Sequence, residues 1–220
     1  MRRIFIFGCG GSGREMLQII RELTQAGNQI EPVAFIVDPG IEAPAVVDGL
    51  PILRGFSEAR QDPSAEVAIG LGSPAARRKV ARRLDEAGLK GATLIHPRAL
   101  IGQNVSLGPG TLVCANAVMT TDIRLGAHVH VNIAATVSHD SQLDDFATLA
   151  PGVHLAGNVV LEEGVEMGVG ACAIPGIRIG HWAMIGGGAT VTRDIPPNAV
   201  AVGVPAQEIR RRVAGWERLP

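Results

Sequence analysis

The chain has few aromatic residues and no long apolar run. Two Trp, five Phe and no Tyr stand among its 220 residues, beside 28 Gly and 14 Pro. With 46% hydrophobic residues the chain is too apolar for disorder, so its core must be packed from small and branched aliphatic side chains. No stretch approaches a membrane span, and the first apolar run is too short for a signal peptide. We therefore expect a cytoplasmic protein that makes no membrane contact.

The chain also has few cysteines and almost no net charge. The cysteines Cys9, Cys114 and Cys172 are an odd number, far apart, and fit no metal-binding spacing, so we predict neither a disulfide nor a metal site. Twenty basic and 21 acidic residues leave a net charge of -1. No overall field therefore favours nucleic acid, and we predict no nucleic-acid partner.

A six-residue repeat, or hexad, runs through the second half of the chain. From Ile95 to Val191 every sixth residue is apolar, at seventeen positions without an insertion, and a small or branched residue follows each one four places later. A period of six does not fit the 3.6-residue repeat of a helix, but it fits short strands joined by bends. Stacked coils of such strands form a parallel β-helix with the recurring aliphatic side chains inside.

The first half alternates predicted strands and helices, which implies a small parallel sheet. The strands are expected at 3–7, 33–37, 67–71 and 92–95, and the helices at 12–26 and 73–87. We place the domain boundary near His96 and Pro97. This gives an α/β Rossmann-like half-domain at 1–95, an all-β parallel β-helix at 96–198 and a capping segment at 199–220, in which we expect a short terminal helix.

The turn at 8–13 reads Gly-Cys-Gly-Gly-Ser-Gly between a predicted strand and a predicted helix. This G-x-G-x-x-G pattern lets a phosphate approach the N–H groups of a helix N-terminus. Asp38, at the end of the next strand, could accept hydrogen bonds from a ribose or a base. NAD is one ligand that fits, and glycines that merely close the turn are the alternative. The short half-domain favours a nucleotide-linked ligand over NAD.

His139 is the polar residue of the repeat that best suits catalysis. Gly157 follows it by three hexads, so it should lie beside His139 one coil along, leaving space for a substrate and an accessible N–H. Histidine can take a proton from an amine or hydroxyl near neutral pH. Asp140 could orient the ring if both residues sit at a corner. The alternative for any surface histidine is a solvated side chain.

The other histidines and an arginine-rich helix are expected to be structural or solvated. We expect His128 and His130 to be a solvated pair, because no histidine lies three hexads from either. Structural roles are expected for His96, His154 and His181. A solvated helix face, which could also meet a phosphate, is expected from Arg77, Arg78, Arg82 and Arg83.

The repeat resembles that of the hexapeptide-repeat acyltransferases, which build a left-handed β-helix with three hexads per coil. Fused to the glycine-rich first half, it resembles the bacterial sugar acetyltransferases of the sialic acid O-acetyltransferase type. That family includes enzymes that N-acetylate the 4-amino group of UDP- or GDP-linked deoxysugars. The sequences that carry the resemblance are the GCGGSGRE turn at 8–15, the stretch from Asn132 to Asp140, Ala156-Gly157-Asn158, and VGVPA at 202–206.

The resemblance implies roles for particular residues. His139 is then the general base of direct acetyl transfer from acetyl-CoA, Asp140 is its partner, and the Gly157 N–H would stabilise the oxyanion. Asn132 and Ser138 match positions beside the acceptor amine. The nucleotide would lie over Gly8, Gly10, Gly11, Gly13 and Asp38. Acetyl-CoA would lie between subunits of a homotrimer, against Gly157, Gly186, Gly187 and Gly188, with the active site shared between chains.

Two residues depart from the family pattern. Ser12 and Thr148 stand where many members carry histidine, so those histidine roles are not carried over. Three alternatives remain open. They are an O-acetyltransferase acting on sialic acid or a related sugar, a metal-dependent hydratase, and a non-catalytic nucleotide-sugar-binding protein.

Overall fold

The computed structural model describes residues 1–218. The chain divides into two compact units, the first Met1–Pro97 and the second beginning at Arg98. None of the helices within the described range is long and apolar enough to cross a membrane.

The first unit contains a six-stranded α/β sheet. Its elements are β1 (Arg2–Phe7), α1 (Gly11–Gln25), β2 (Ile30–Val37), β3 (Val46–Val47), β4 (Leu50–Arg54), α2 (Ser57–Arg60), β5 (Ala65–Ile69), α3 (Pro74–Glu86), β6 (Lys90–Gly91) and β7 (Leu94–Ile95). The sheet order is β3-β4-β2-β1-β5-β6, and only the β3–β4 pair is antiparallel. The predicted parallel α/β half-domain is confirmed, but the strand expected at 92–95 does not join its sheet, because β6 takes the edge position beside β5 and Ile95 already belongs to the six-residue repeat. The β3–β4 hairpin lies outside the sequence prediction.

Strand β1 lies at the centre of that sheet, between β2 and β5. Its residues Ile4 and Ile6 are fully buried, and α1 packs Leu17 and Ile20 into the same core. Because β2 and β5 lie on opposite sides of β1, their connections leave a crevice at the carboxyl ends of these strands, which is where α/β sheets bind ligands. The glycine-rich turn follows β1 at this edge.

The second unit is a left-handed parallel β-helix, as predicted. Sixteen two-residue strands recur every six residues: β8 (Leu100–Ile101), β9 (Ser106–Leu107), β10 (Leu112–Val113), β11 (Val118–Met119), β12 (Arg124–Leu125), β13 (His130–Val131), β14 (Thr136–Val137), β15 (Gln142–Leu143), β16 (Thr148–Leu149), β17 (His154–Leu155), β18 (Val160–Leu161), β19 (Glu166–Met167), β20 (Cys172–Ala173), β21 (Arg178–Ile179), β22 (Met184–Ile185) and β23 (Thr190–Val191). Strands three apart pair in parallel with an offset of three hexads, as in Met119 with Val137. The recurring aliphatic residues, such as Leu143 and Leu161, are fully buried.

The bends between strands repeat one backbone conformation. One residue in most hexads has a positive φ, such as +58° at Asn104, +60° at Asp140 and +59° at Asn158. This left-handed conformation is accessible mainly to Gly, Asn and Asp. The same requirement explains why those residue types recur between the aliphatic positions of the repeat.

The carboxyl-terminal segment ends the stack with a β-hairpin, which the sequence did not predict, and the expected short terminal helix is a single 3₁₀ turn after it. Strand β24 (Ala199–Val202) pairs with β22 in parallel, and β25 (Gln207–Arg211) returns antiparallel to β24. The reason is that β24 occupies the place of the next coil and uses the hydrogen-bonding groups that β22 would otherwise expose. Pro205, which lacks an N–H, also opposes a helix in this turn. A 3₁₀ helix follows at Trp216–Arg218.

Candidate functional site

The glycine-rich turn after β1 is compact on one side and open on the other. A Cβ on Gly13 would overlap the carbonyl oxygen of Gly8, and a Cβ on Gly70 would lie 2.6 Å from Gly13 Cα. Gly8 also has a φ of +97°. By contrast, a Cβ on Gly10 or Gly11 would meet no atom. Gly8 and Gly13 therefore hold the turn against the sheet, while Gly10 and Gly11 leave the N-terminus of α1 accessible.

A cavity of about 440 Å³ lies beside this turn. Its lining is mostly apolar, with three charged side chains: Phe7, Gly8, Cys9, Gly10, Val37, Asp38, Ile41, Leu71, Ala76, Lys79, Val80 and Arg83. Asp38 accepts a hydrogen bond from Arg83, with 2.5 Å between Oδ1 and Nη2. The guanidinium carbon of Arg83 also lies 5.4 Å from the ring centre of Phe7. An apolar slot with charged groups at its edge suits a flat heterocycle that carries polar groups on its rim.

Helix α3 contradicts the expected solvated arginine face. Arg77 and Arg78 are buried, and Arg77 donates from Nη1 to the carbonyl oxygens of Leu71 and Gly72 at 3.1 Å each. Arg77 thus holds the loop after β5, because a buried guanidinium needs acceptors for its N–H groups. Arg82 is exposed and Arg83 is half-buried.

His139 and Asp140 form a hydrogen-bonded pair on the surface of the β-helix. His139 Nδ1 lies 2.8 Å from Asp140 Oδ2, and each side chain is 56% exposed. The pair follows β14 at a bend, and the positive φ of Asp140 lets its side chain reach the ring of the preceding residue. The carboxylate therefore orients the imidazole and leaves Nε2 for another partner.

Gly157 lies directly against the His139 ring, one coil further on. The Asn158 N–H donates to the His139 carbonyl oxygen at 2.8 Å. A Cβ on Gly157 would lie 2.6 Å from His139 Nε2, so only glycine leaves the ring in this position. Within residues 1–218, the Gly157 N–H makes no hydrogen bond. His139 therefore lies close to a glycine whose N–H is left for another acceptor.

The other predicted site residues of the β-helix lie at bends. Ser138 precedes His139 directly, and Asn132 occupies the same hexad position one bend earlier, where its Oδ1 accepts from the Ile133 N–H at 2.9 Å. Gly186, Gly187 and Gly188 form the bend after β22, where Gly188 has a φ of +67°. Of the two departures from the family pattern, Thr148 is buried and Ser12 is half-buried.

Among the remaining histidines, the expectation that His128 and His130 form a solvated pair is wrong. His128 and His130 are buried, not solvated, and His128 stacks on Phe146 with 5.5 Å between ring centres. The ring fills a bend of the β-helix and excludes water there. His96 Nε2 lies 2.5 Å from Glu22 Oε2. In the described part of the chain, no group of three or more His, Cys, Asp or Glu side chains is placed to hold a metal ion.

The predicted site omits Ser141, a residue close in sequence to the His139–Asp140 pair. Its side chain is buried and hydrogen-bonds to the main chain of the next coil, at Ala156 and Val159. The repeat carries a signal for it, because Ser141 stands at a hexad position that is Ala, Val or Ile in fifteen of its seventeen occurrences.

Similarity to known proteins extends across both units. Residues 3–84 match the family model described as the PglD N-terminal domain. The GDP-perosamine N-acetyltransferase of Escherichia coli O157:H7 is 28% identical over 213 residues, which cover 94% of this chain and 96% of that protein.

Two solved structures share the fold over nearly their full length. PerB from Caulobacter crescentus, in complex with CoA and GDP-perosamine, is 30% identical with a TM-score of 0.82, over 93% of this chain and 96% of that one. The acetyltransferase domain of PglB from Neisseria gonorrhoeae FA1090, in complex with acetyl coenzyme A, is 28% identical with a TM-score of 0.83, over 94% of this chain and 99% of that one.

Proposed function

The chain belongs to the family of acetyl-CoA-dependent sugar N-acetyltransferases with a PglD-type amino-terminal domain, and we propose that it acetylates the 4-amino group of a UDP- or GDP-linked deoxysugar. The observation that carries this proposal is the His139–Asp140 pair with its ring lying against Gly157. A base and a hydrogen-bond donor in contact are what acyl transfer to an amine requires.

The proposed reaction is a direct transfer in a ternary complex. The amine nitrogen attacks the thioester carbonyl carbon, and His139 Nε2 accepts the amine proton as the C–N bond forms. The Gly157 N–H donates to the carbonyl oxygen, which gains negative charge. The C–S bond then breaks, and the CoA sulfur takes the proton from His139. Asp140 stabilises the imidazolium that exists between the two proton transfers, so no covalent acyl-enzyme is needed.

The first unit supplies features that suit the nucleotide. The open N-terminus of α1 at Gly10 and Gly11 can receive the diphosphate. The adjacent cavity, with Asp38 at its edge, has the apolar lining that a nucleoside needs. GDP-perosamine is bound in the Caulobacter structure, which supports a nucleotide-linked amino sugar as the acceptor.

Acetyl-CoA is proposed to lie along the β-helix, against Gly157 and the bend formed by Gly186, Gly187 and Gly188. Glycines at these positions let the extended pantetheine chain approach the backbone closely. The bound acetyl coenzyme A in the Neisseria structure supports this co-substrate. We further propose a homotrimer, in which a neighbouring subunit supplies the second wall of the acetyl-CoA groove.

The test is thiol release from acetyl-CoA over a panel of acceptors. The panel contains UDP- and GDP-linked 4-amino-deoxysugars, including GDP-perosamine, together with free sialic acid as a hydroxyl acceptor. Release with one amino sugar is expected, and product mass identifies the acetamide. Release with sialic acid alone would instead establish O-acetylation. Binding of a nucleotide sugar with no thiol release would establish a non-catalytic role.

The matched variants are His139→Ala and His181→Ala. Both side chains are exposed, at 56% and 50%, but His181 hydrogen-bonds Glu162 and lies away from Gly157. We expect His139→Ala to lower kcat at least about 100-fold, the scale for loss of a general base, with an unchanged melting temperature, and His181→Ala to retain turnover. Near-normal turnover in His139→Ala contradicts the proposal.

A further inference from the structure

The repeat has two polar residues at positions where the other fifteen side chains are apolar. Of the seventeen residues that follow the recurring aliphatic positions by four places, fifteen are Ala, Val or Ile, and the exceptions are Thr111 and Ser141. These positions face the interior of the coil, where a hydroxyl must find hydrogen-bond partners. Ser141 comes two residues after His139, so its partners lie near the proposed catalytic group.

The Ser141 hydroxyl is inserted into a turn of the next coil. With a residue exposure of 2%, its Oγ donates to the Ala156 carbonyl oxygen at 3.3 Å and accepts from the Val159 N–H at 3.2 Å. In the flanking turns the corresponding N–H bonds directly to the carbonyl three residues earlier. Val153 donates to Ala150, and Val165 to Glu162, each at 3.3 Å.

The bridged turn is the one that contains Gly157. A hydroxyl between the two ends of the turn replaces one direct hydrogen bond by two consecutive ones, and so sets how far the turn opens. Gly157 lies between those ends, with its backbone against His139 Nε2. Ser141 therefore connects to both halves of the site, through the main chain at His139–Asp140 and through its side chain to the turn at 156–159.

We propose that Ser141 is a positioning residue, whose hydroxyl fixes the Gly157 N–H relative to His139 Nε2 in the geometry that the tetrahedral intermediate requires. This inference rests on the proposed roles of His139 and Gly157. Ser141 is buried beneath the turn and acts only through it. Its removal should affect the chemical step more than the binding of either substrate.

Thr111 provides the matched control. Its Oγ1 donates to the Gly126 carbonyl oxygen at 3.1 Å, and the sequence separation is the same as that between Ser141 and Ala156. Thr111 serves a turn to which the proposed mechanism assigns no role. Ser141→Ala and Thr111→Val each remove one buried hydroxyl while roughly preserving the volume of the side chain. Thr111→Val leaves only the Gly126 carbonyl without its hydroxyl partner, whereas Ser141→Ala also leaves the Val159 N–H without one, so Thr111→Val should destabilise the β-helix no more than Ser141→Ala does.

The experiment measures kcat, KM and melting temperature with the amino sugar on which the wild-type chain releases most CoA. Ser141→Ala is expected to lower kcat about 10- to 100-fold, as expected when a catalytic group moves by up to about 1 Å, while KM for both substrates changes less than about threefold. Thr111→Val should keep the wild-type kcat although it also removes a buried hydroxyl and lowers the melting temperature. Ser141→Thr should restore turnover, because Thr111 shows that the repeat accommodates threonine here.

A second readout needs no substrate. Amide hydrogen exchange measured on peptides that cover residues 156–159 should rise in Ser141→Ala and stay at the wild-type level in Ser141→Thr. A kcat for Ser141→Ala within twofold of wild type, or an equal loss in Thr111→Val, overturns the inference. If His139→Ala is active, the proposed function itself fails; if His139→Ala is inactive and Ser141→Ala is normal, only the positioning role fails.

Discussion

Three aromatic rings of the β-helix lie against glycines one coil away. His128 covers Gly110, His139 covers Gly157, and Trp182 covers Gly164. The contact alone therefore does not mark a catalytic residue, since His128 and Trp182 are buried and fill bends. What distinguishes His139 is that its ring is exposed and hydrogen-bonded to a carboxylate. Among these three rings, exposure separates His139, which the proposed reaction needs to be accessible, from the two that only pack.

Gly157→Ala tests this distinction. The new Cβ would lie 2.5 Å from His139 Cε1, so the ring or the turn must shift, and we expect kcat to fall about 100-fold. In Gly110→Ala the new Cβ would overlap the His128 ring at a residue with a φ of +72°, so that variant should lose stability. Its kcat, measured per folded molecule, should remain that of the wild type. Equal kcat losses in the two variants would contradict a special role for Gly157.

The residues that sequence reasoning places correctly are those governed by the repeat. The spacing of three hexads predicts that Gly157 lies beside His139, because the coil length fixes which residues stack. The positions of Arg77 and His128 are predicted wrongly because their burial depends on local acceptors and on neighbouring rings, which no periodicity encodes. Ser141 could have been found, because its hydroxyl departs from the repeat, but its hydrogen bonds required coordinates.

At the scale of elements, the bends of the β-helix are stabilised by polar side chains that stack with the coil. Asn104 Nδ2 donates to Asp122 Oδ1 at 2.9 Å across one coil. Hydrogen bonds from Asn104 and Thr121 hold the pKa of the Asp122 carboxyl below its usual value. The ionised carboxylate is therefore favoured in the folded chain. Its stabilisation is present above about pH 4, where the unfolded carboxyl is ionised, and is lost as the pH falls through the lower folded pKa.

In Asn104→Ala, the free energy of unfolding should therefore depend less on pH in the acid range. The wild type is expected to lose more stability than this variant between about pH 5 and pH 2, because only the wild type has the strongly favoured carboxylate to protonate. The control is Asn116→Ala, which removes an Asn with a nearly equal φ of +59° and so shares the backbone cost. Urea unfolding at several pH values measures the effect. Parallel acid profiles for wild type and Asn104→Ala would refute it.

The carboxyl-terminal hairpin is an element that the six-residue repeat does not predict. A six-residue period identifies each strand from β8 to β23, because every coil has the same neighbours on both sides. The last coil has a neighbour on one side only, and β24 and β25 complete it by pairing instead of by helix formation. The end of a repeat must be inferred from unsatisfied backbone groups, not from its period.

In the whole molecule, the two units offer different groups to a ligand. The α/β unit offers an open helix N-terminus and an apolar cavity, and the β-helix offers a proton acceptor beside a backbone donor. The similarity to PerB covers 93% of the chain, so the pairing of these units extends beyond this protein. In the proposed reaction, neither unit alone supplies the groups both for nucleotide binding and for acetyl transfer.

The proposed homotrimer predicts both a trimeric mass and an active site that is shared between subunits. Light scattering should give three times the mass of the single chain, which is 22.9 kDa. If the acetyl-CoA groove joins His139 of one subunit to the Gly187 bend of the next, two inactive variants, His139→Ala and Gly187→Glu, should complement each other when mixed. Random mixing at equal amounts places an intact His139 beside an intact Gly187 in about a quarter of the sites, so about a quarter of the wild-type activity should return. Each variant alone should remain inactive and trimeric. No recovery from mixed trimers, or a monomer by light scattering, would show that each chain forms its site alone.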